Sequence, residues 1–473
     1  MIAWIVTAIM AATVCYSVLR IPLQVTDSLI PMLDAQRSSS VIGAFASGAT
    51  NAGYFRPLRA AQIQALFELS NGHYFAAYKG FQAATVLVVF ALFLAVLEVD
   101  SRQRAAALLF ALTVLMGLHT FRGTVWEAYP VNHSLEVVAF CLLALLLARS
   151  GAGRWTDAAA VLTFIAATFT VESGLLVWVV IAAAWLTGAR GISRRGVIVI
   201  TVLLAVYLAM RFGYLRTGVP ALAERSSGFG LRQLDPAELQ RRFGAWPYGF
   251  YAYNVLSSML TVLFSEPRAG IWTTAAEFAR GRVAAGTIVN IVSSTVTTAV
   301  IGWFVVARRD AWTRRAFERD DQIVFVSLAV IVANAVISYG YTKDEIMGPA
   351  GVFYALAACV GIVFVLRTLA SPRPRSGEGG LGPRSRLAAV ALAVFMASSG
   401  WVVRTAGLHY QMNMMTFYDR NEWVYVDDWL VRQQSVPTTE AGKALVQQLR
   451  EDALERAAVN PYLLSPRLDQ WFR

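Results

Sequence analysis

Unbroken apolar runs of roughly 16 to 22 residues, separated by short polar connectors, constrain this chain more than any other feature. A run of that length matches a bilayer hydrocarbon core of roughly 30 Å, whereas a soluble helix alternates its apolar stripe with a wet face. Such runs fall at 2–19, 82–99, 105–120, 134–149, 157–171, 174–188, 196–213, 286–307, 322–339, 350–367 and 387–404. The expectation is an all-α polytopic membrane protein with about eleven transmembrane helices. Composition agrees: 57% of the residues are hydrophobic and 15% are charged, against roughly a quarter charged in soluble domains. Ile2 to Val18 could be a signal-peptide core, but no Lys or Arg precedes it and Arg20 follows, so it reads as a first transmembrane helix. Cys15, Cys141 and Cys359 all lie in apolar runs without CxxC spacing. That pattern suggests neither disulfides nor zinc.

The net charge of +11 is topological rather than a nucleic-acid footprint, because the arginines gather in the connectors. Arg102 and Arg104; Arg149 and Arg154; Arg190, Arg194 and Arg195; the group from Arg308 to Arg319; and the group from Arg367 to Arg386 fall on alternate connections. The positive-inside rule puts them in the cytoplasm. The N-terminus is then cytoplasmic, and the long loops 20–81 and 214–285, with the tail 405–473, lie outside. This divides the chain into a membrane domain, 1–404, and an outer-face helical tail, 405–473. The apolar, aromatic stretch 247–266 would reverse the later topology if it crossed, so it reads as interfacial or re-entrant. Gly377, Gly379 and Gly382 match the GxGxxG string, but they sit in a Pro- and Arg-rich linker, 371–386, that offers no strand-to-helix turn for a dinucleotide.

Polar residues that survive in the outer segments are the candidates for chemistry. The first loop suits helices lying on the membrane surface and holds Asp27, Asp34, Arg56 and Arg59. Asp27 follows the first span by a few residues, where a carboxylate can act as general base or metal ligand, or serve as a helix cap. Arg56 and Arg59 flank Pro57-Leu58, and a guanidinium at the interface either forks onto a phosphate or snorkels to headgroups. The second loop, 117–134, concentrates Glu127 and His133; His133 and Glu136 stand at i and i+3, the spacing of a ligand pair or of a structural hydrogen bond. Glu172 lies between two spans, as a functional acid or as part of a cap with Ser173. Lys343, one of three lysines, could hold a phosphate as a point charge or pair with Asp344 or Glu345.

Asp27, Arg56-Pro57-Leu58, the Glu127 to His133 stretch and Glu172-Ser173-Gly174, in this order, resemble the polytopic glycosyltransferases of the GT-C fold, especially enzymes related to protein O-mannosyltransferases. The likeness covers roughly residues 1–190. It implies a sugar donor on a polyprenyl phosphate at the outer face of a bacterial inner membrane, and a glycan, lipid or protein acceptor. Asp27 would deprotonate the acceptor hydroxyl, directly or through a divalent metal, with inversion at the anomeric carbon. Arg56, Arg59 and Lys343 would hold the donor phosphate, with Asp34, Glu127, His133 and Glu172 orienting or supporting the acceptor. Relatives commonly carry paired acids near the first helix, whereas Asp27 stands alone; the resemblance therefore leaves metal dependence open. Two other readings stand beside it: a transporter or flippase of a lipid-linked glycan, and an inactive relative acting as an assembly partner.

Overall fold

The structure is a computed structural model and describes residues 2–38, 40–51, 54–127, 129–215, 234–264, 270–340, 345–370 and 383–456. Among these residues the chain is all-helical, without a strand. It opens with α1 (Ile2–Val18), then three short helices, α2 (Leu29–Arg37), α3 (Val41–Thr50) and α4 (Pro57–Ser70). A run of long helices follows: α5 (Tyr74–Leu97), α6 (Arg102–Gly117) with the short α7 (His119–Val125), α8 (His133–Arg149), α9 (Arg154–Thr170), α10 (Leu176–Leu186) and α11 (Arg194–Leu208). The second half comprises α12 (Pro236–Phe243), α13 (Tyr248–Phe264), α14 (Gly270–Ala279), α15 (Ala285–Thr313), α16 (Arg319–Ile337), α17 (Gly348–Ala370), α18 (Pro383–Val424), α19 (Val426–Arg432) and α20 (Glu440–Arg456).

Each apolar run read from the sequence coincides with a helix, but length separates them. Among the described residues six helices are long and apolar enough to cross a membrane: α5, α11 with its continuation to Tyr214, α15, α16, α17 with its preceding turn, and α18. The bent pair α6 and α7, which turns by 66°, makes a seventh if it counts as one span. Exposed Ile198, Val199, Val202 and Val206 on α11, and Leu392, Phe395 and Val402 on α18, form apolar faces suited to lipid rather than water.

Helix α17 is the axis, buried on almost every side. Glycine makes this approach feasible: a Cβ on Gly348 would lie 2.0 Å from Thr124 Oγ1 and one on Gly351 2.3 Å from Thr120 Oγ1. Small residues at such crossings let helices pack where lipid gives no hydrophobic drive. One end of the bundle is closed by ion pairs: Asp320 with Arg104 (2.7 Å) and Arg367 (3.4 Å), Glu98 with Arg149 (3.7 Å) and Arg319 (2.6 Å), and Asp321 with Arg308 (2.7 Å). The arginine clusters of separate connectors thus meet on one side of the bundle.

Helix α13 does not cross it. At its inner end the Leu263 carbonyl accepts from Thr298 Oγ1 at 2.6 Å, within α15. Helix α14 then returns, with Trp272 donating to Ser257 Oγ at 3.0 Å and stacking on Tyr253, and Glu277 accepting from Thr287 Oγ1 near the start of α15. Thr287 and Thr298 lie about 17 Å apart along α15 at 1.5 Å per residue, so the hairpin dips into the bundle and leaves by the end it entered. Its polar Asn254, Ser257, Ser258 and Thr261 are buried against the bundle.

The tail does not begin as a separate unit at 405. Helix α18 continues unbroken through that boundary for 42 residues, about 63 Å, because leaving an apolar stretch does not end a helix that meets no proline. Its far end joins α19 and α20 in a second core: Trp423, Val426, Leu430, Leu445 and Leu449 pack on Leu23, Val25, Leu29 and Met32 of the first loop and on Phe75 and Tyr78 of α5. The linker at 371–382, with its glycine string, lies outside the described residues.

Candidate functional site

A cavity of about 1210 Å³ opens at the end opposite the ion pairs. Its wall takes in Asp27, Asp34, Arg56, Arg59, Glu127, His133 and Glu172, which come from segments far apart in sequence. Lys343 lies outside the described residues. Tyr129 and Glu345 also line it, as do Arg211 and Asp235, which were not singled out from the sequence.

Helix α4 positions both arginines of the first loop. Pro57 sits at its first position, where a missing N–H costs nothing; Arg56 immediately precedes the helix and Arg59 occupies its first turn. Arg56 Nε and Nη2 donate to Glu172 Oε2 at 3.2 and 2.7 Å, and Arg211 Nη2 lies 3.1 Å from Glu172 Oε1. Glu172 is therefore held between two guanidiniums rather than capping the next helix, whose turn has no side-chain cap. That turn folds tightly back on α9: a Cβ on Gly174 would sit 2.1 Å from the Ala167 carbonyl oxygen. Burial alone would raise the Glu172 carboxyl, but Arg56 and Arg211 outweigh it and hold it at about 2. A lone arginine near the end of the α11 run was the sequence signal for Arg211, yet periodicity in an all-apolar helix does not say which way that residue faces.

Arg59 differs from its neighbour. It is 8% exposed, its guanidinium stacks 3.8 Å over the Tyr129 ring, and its Nε has no hydrogen-bond partner among the described residues. No carboxylate pairs with it among those residues. Burial first, and then the charge of Arg56, lower its affinity for its proton. A desolvated cation without a counter-anion is costly unless a ligand supplies one.

Glu127 accepts from the Ser134 amide (3.1 Å) and hydroxyl (2.9 Å) and faces His133 Nε2 at 3.2 Å. His133 thus pairs with Glu127, while Glu136 accepts from Gln62; the i, i+3 pair does not converge, and no three-residue His, Cys, Asp or Glu cluster for a metal occurs among the described residues. Burial pushes the Glu127 carboxyl up to about 7 despite the Ser134 bonds. The folded chain then holds a proton that the unfolded chain releases, so stability should fall as the pH rises from about 4.5 to 7. Glu127→Gln should flatten that dependence, read as the difference in thermal midpoint between pH 5 and pH 8 in detergent. An unchanged difference would mean that Glu127 is ionised throughout.

Asp27 is half-buried in the turn before α2. It is not a cap: Ser28 holds that position, without a side-chain capping bond. Asp34 stays on the rim, largely exposed and 3.6 Å from Arg37. Helix α3 closes one side with Gly43, Ala44, Ser47 and Gly48, while its Ile42 points away, 82% exposed. The cavity therefore places a half-buried carboxylate, a guanidinium without an ion-pair partner among the described residues, and tyrosines in one chamber beside an apolar helix. Comparison with known family models, curated proteins and solved structures finds no match.

Proposed function

We propose that this chain is a membrane glycosyltransferase that moves a sugar from a polyprenyl-phosphate donor to an acceptor hydroxyl, with inversion. The observation that carries this reading is Arg59, buried and without an ion-pair partner among the described residues, in the same cavity as Asp27. In the proposed reaction Asp27 takes the proton of the acceptor hydroxyl as its oxygen attacks the anomeric carbon, and the bond to the phosphate oxygen breaks. Arg59, with the free edge of Arg56, neutralises the departing phosphate; bidentate guanidinium pairing suits that group. Lys343 would add a further cation. Tyr54 and Tyr339 line the chamber and offer apolar ring faces to the sugars, with His133, Glu127 and Asp34 near the acceptor. By the positive-inside rule the ion-pair end faces the cytoplasm of a bacterial inner membrane and the cavity faces outward.

The test is turnover. Purified chain in nanodiscs, given a panel of polyprenyl-phosphate sugars and glycan, lipid or peptide acceptors, should release polyprenyl phosphate and form glycosylated product. The re-entrant hairpin α13–α14 favours one competing reading, because transporters use broken helices that dip into the bundle. Movement of intact lipid-linked sugar across sealed vesicles without product formation would establish that reading instead.

A further inference from the structure

The last turns of α18 grip the segment that carries Asp27. Asp419, Glu422 and Trp423 stand at i, i+3 and i+4, one face of the helix. Trp423 Nε1 donates to the Leu23 carbonyl at 2.5 Å, the Val25 amide donates to Glu422 Oε2 at 3.1 Å, and Gln24 Nε2 donates to Asp419 Oδ2 at 3.3 Å. Three consecutive residues, Leu23 to Val25, are thereby held by one helix face, two residues before Asp27. Asp419 also accepts from Trp126 Nε1 at 3.4 Å, and Trp126 immediately precedes Glu127. The same face therefore ties together the two segments that bring Asp27 and Glu127 to the cavity.

Burial makes this grip specific. Asp419 is 0% and Trp423 1% exposed, and Leu23 and Val25 share the core formed with Trp423, Val426 and Leu445. Without the grip, the segment between α1 and α2 has few backbone bonds of its own, since the Val25 amide is used by Glu422 rather than by a turn.

We infer that Glu422, Trp423 and Asp419 are positioning residues: the α18 tail sets the place of Asp27 and registers it against the Glu127 segment. This rests on the proposed role of Asp27 for its consequence in turnover, but the grip itself has a readout independent of activity. A general base must be held within hydrogen-bond reach of the proton it takes, so loosening its support should lower kcat more than it weakens donor binding.

The experiment uses the full chain in nanodiscs and compares Glu422→Ala, Glu422→Gln and Trp423→Phe with wild type. Amide hydrogen exchange over residues 21–28 should accelerate in Glu422→Ala and Trp423→Phe, with exchange across α8 unchanged as the sign that the bundle is intact. Glu422→Gln keeps an oxygen to accept from Val25 and should retain wild-type protection. With polyprenyl-phosphate sugar as donor, kcat should fall by about 10- to 100-fold in Glu422→Ala with little change in donor KM, and Glu422→Gln should restore it. Unchanged exchange in Glu422→Ala would overturn the grip. Faster exchange with unchanged kcat, in a preparation where Asp27→Asn is inactive, would overturn the positioning role. If Asp27→Asn turns over like wild type, the general-base assignment fails instead, and the exchange data still decide the grip.

Discussion

Glu172→Ala should destabilise the folded chain by about 3–5 kcal/mol, the cost typical of removing one partner from a buried ion pair. Two guanidiniums depend on this carboxylate. Arg56, with its side chain 17% exposed, and Arg211, 5% exposed, both lie within ion-pair distance of it. The linkage has a definite sign. Because the folded-state carboxyl is held at about 2, below its ordinary 4.5, its contribution is fully present above pH 4.5 and is lost as the pH falls toward 2. This is opposite to Glu127, whose raised value favours the folded chain at lower pH. Glu172→Gln, which keeps hydrogen bonding but not charge, should fall between wild type and alanine. Denaturant or thermal unfolding in detergent reads the order directly; a midpoint for Glu172→Ala equal to wild type would mean that the two arginines find other anions.

Asp27→Asn should lower turnover of a polyprenyl-phosphate sugar by about 100- to 10,000-fold, the range expected for removing a general base, while leaving stability near wild type. The contrast with Glu172 is structural. Asp27 makes no ion pair or side-chain hydrogen bond among the described residues, so neutralising it removes no internal partner. Donor KM should change little, because Arg59 and Arg56 rather than Asp27 face the phosphate in this account. Undiminished kcat in Asp27→Asn would remove Asp27 from the mechanism.

Much of the architecture was legible because lipid imposes blunt rules. The apolar runs all lie on helices, although among the described residues six helices, rather than the eleven expected, are long and apolar enough to cross a membrane. Helix length was harder to read: hydropathy marks where a segment leaves the apolar region, so the boundary placed at 404 falls inside the continuous α18. The cavity residues were legible as polar survivors in an apolar chain, and Asp27, Arg56, Arg59, Glu127, His133 and Glu172 meet in one chamber. Their partners were not. The Arg56–Glu172 bond joins residues 116 positions apart, and nothing local announces that Glu172 pairs with two arginines while Arg59 stacks on an aromatic ring. Arg211 was hidden for the same reason: a charge in an apolar helix signals burial of a partner without naming it. The dependence of the Asp27 segment on α18 lies further still from local pattern, since Val25 and Glu422 are 397 residues apart.

An experimental structure of the chain with a bound polyprenyl-phosphate sugar would show directly where the donor sits. The phosphate should lie in the cavity, with its oxygens about 2.7–2.9 Å from guanidinium nitrogens of Arg59 and Arg56, and the anomeric carbon should face the Asp27 carboxylate across the acceptor space. Donor density instead within the bundle near the inner end of the α13–α14 hairpin, with Arg59 unoccupied, would contradict it.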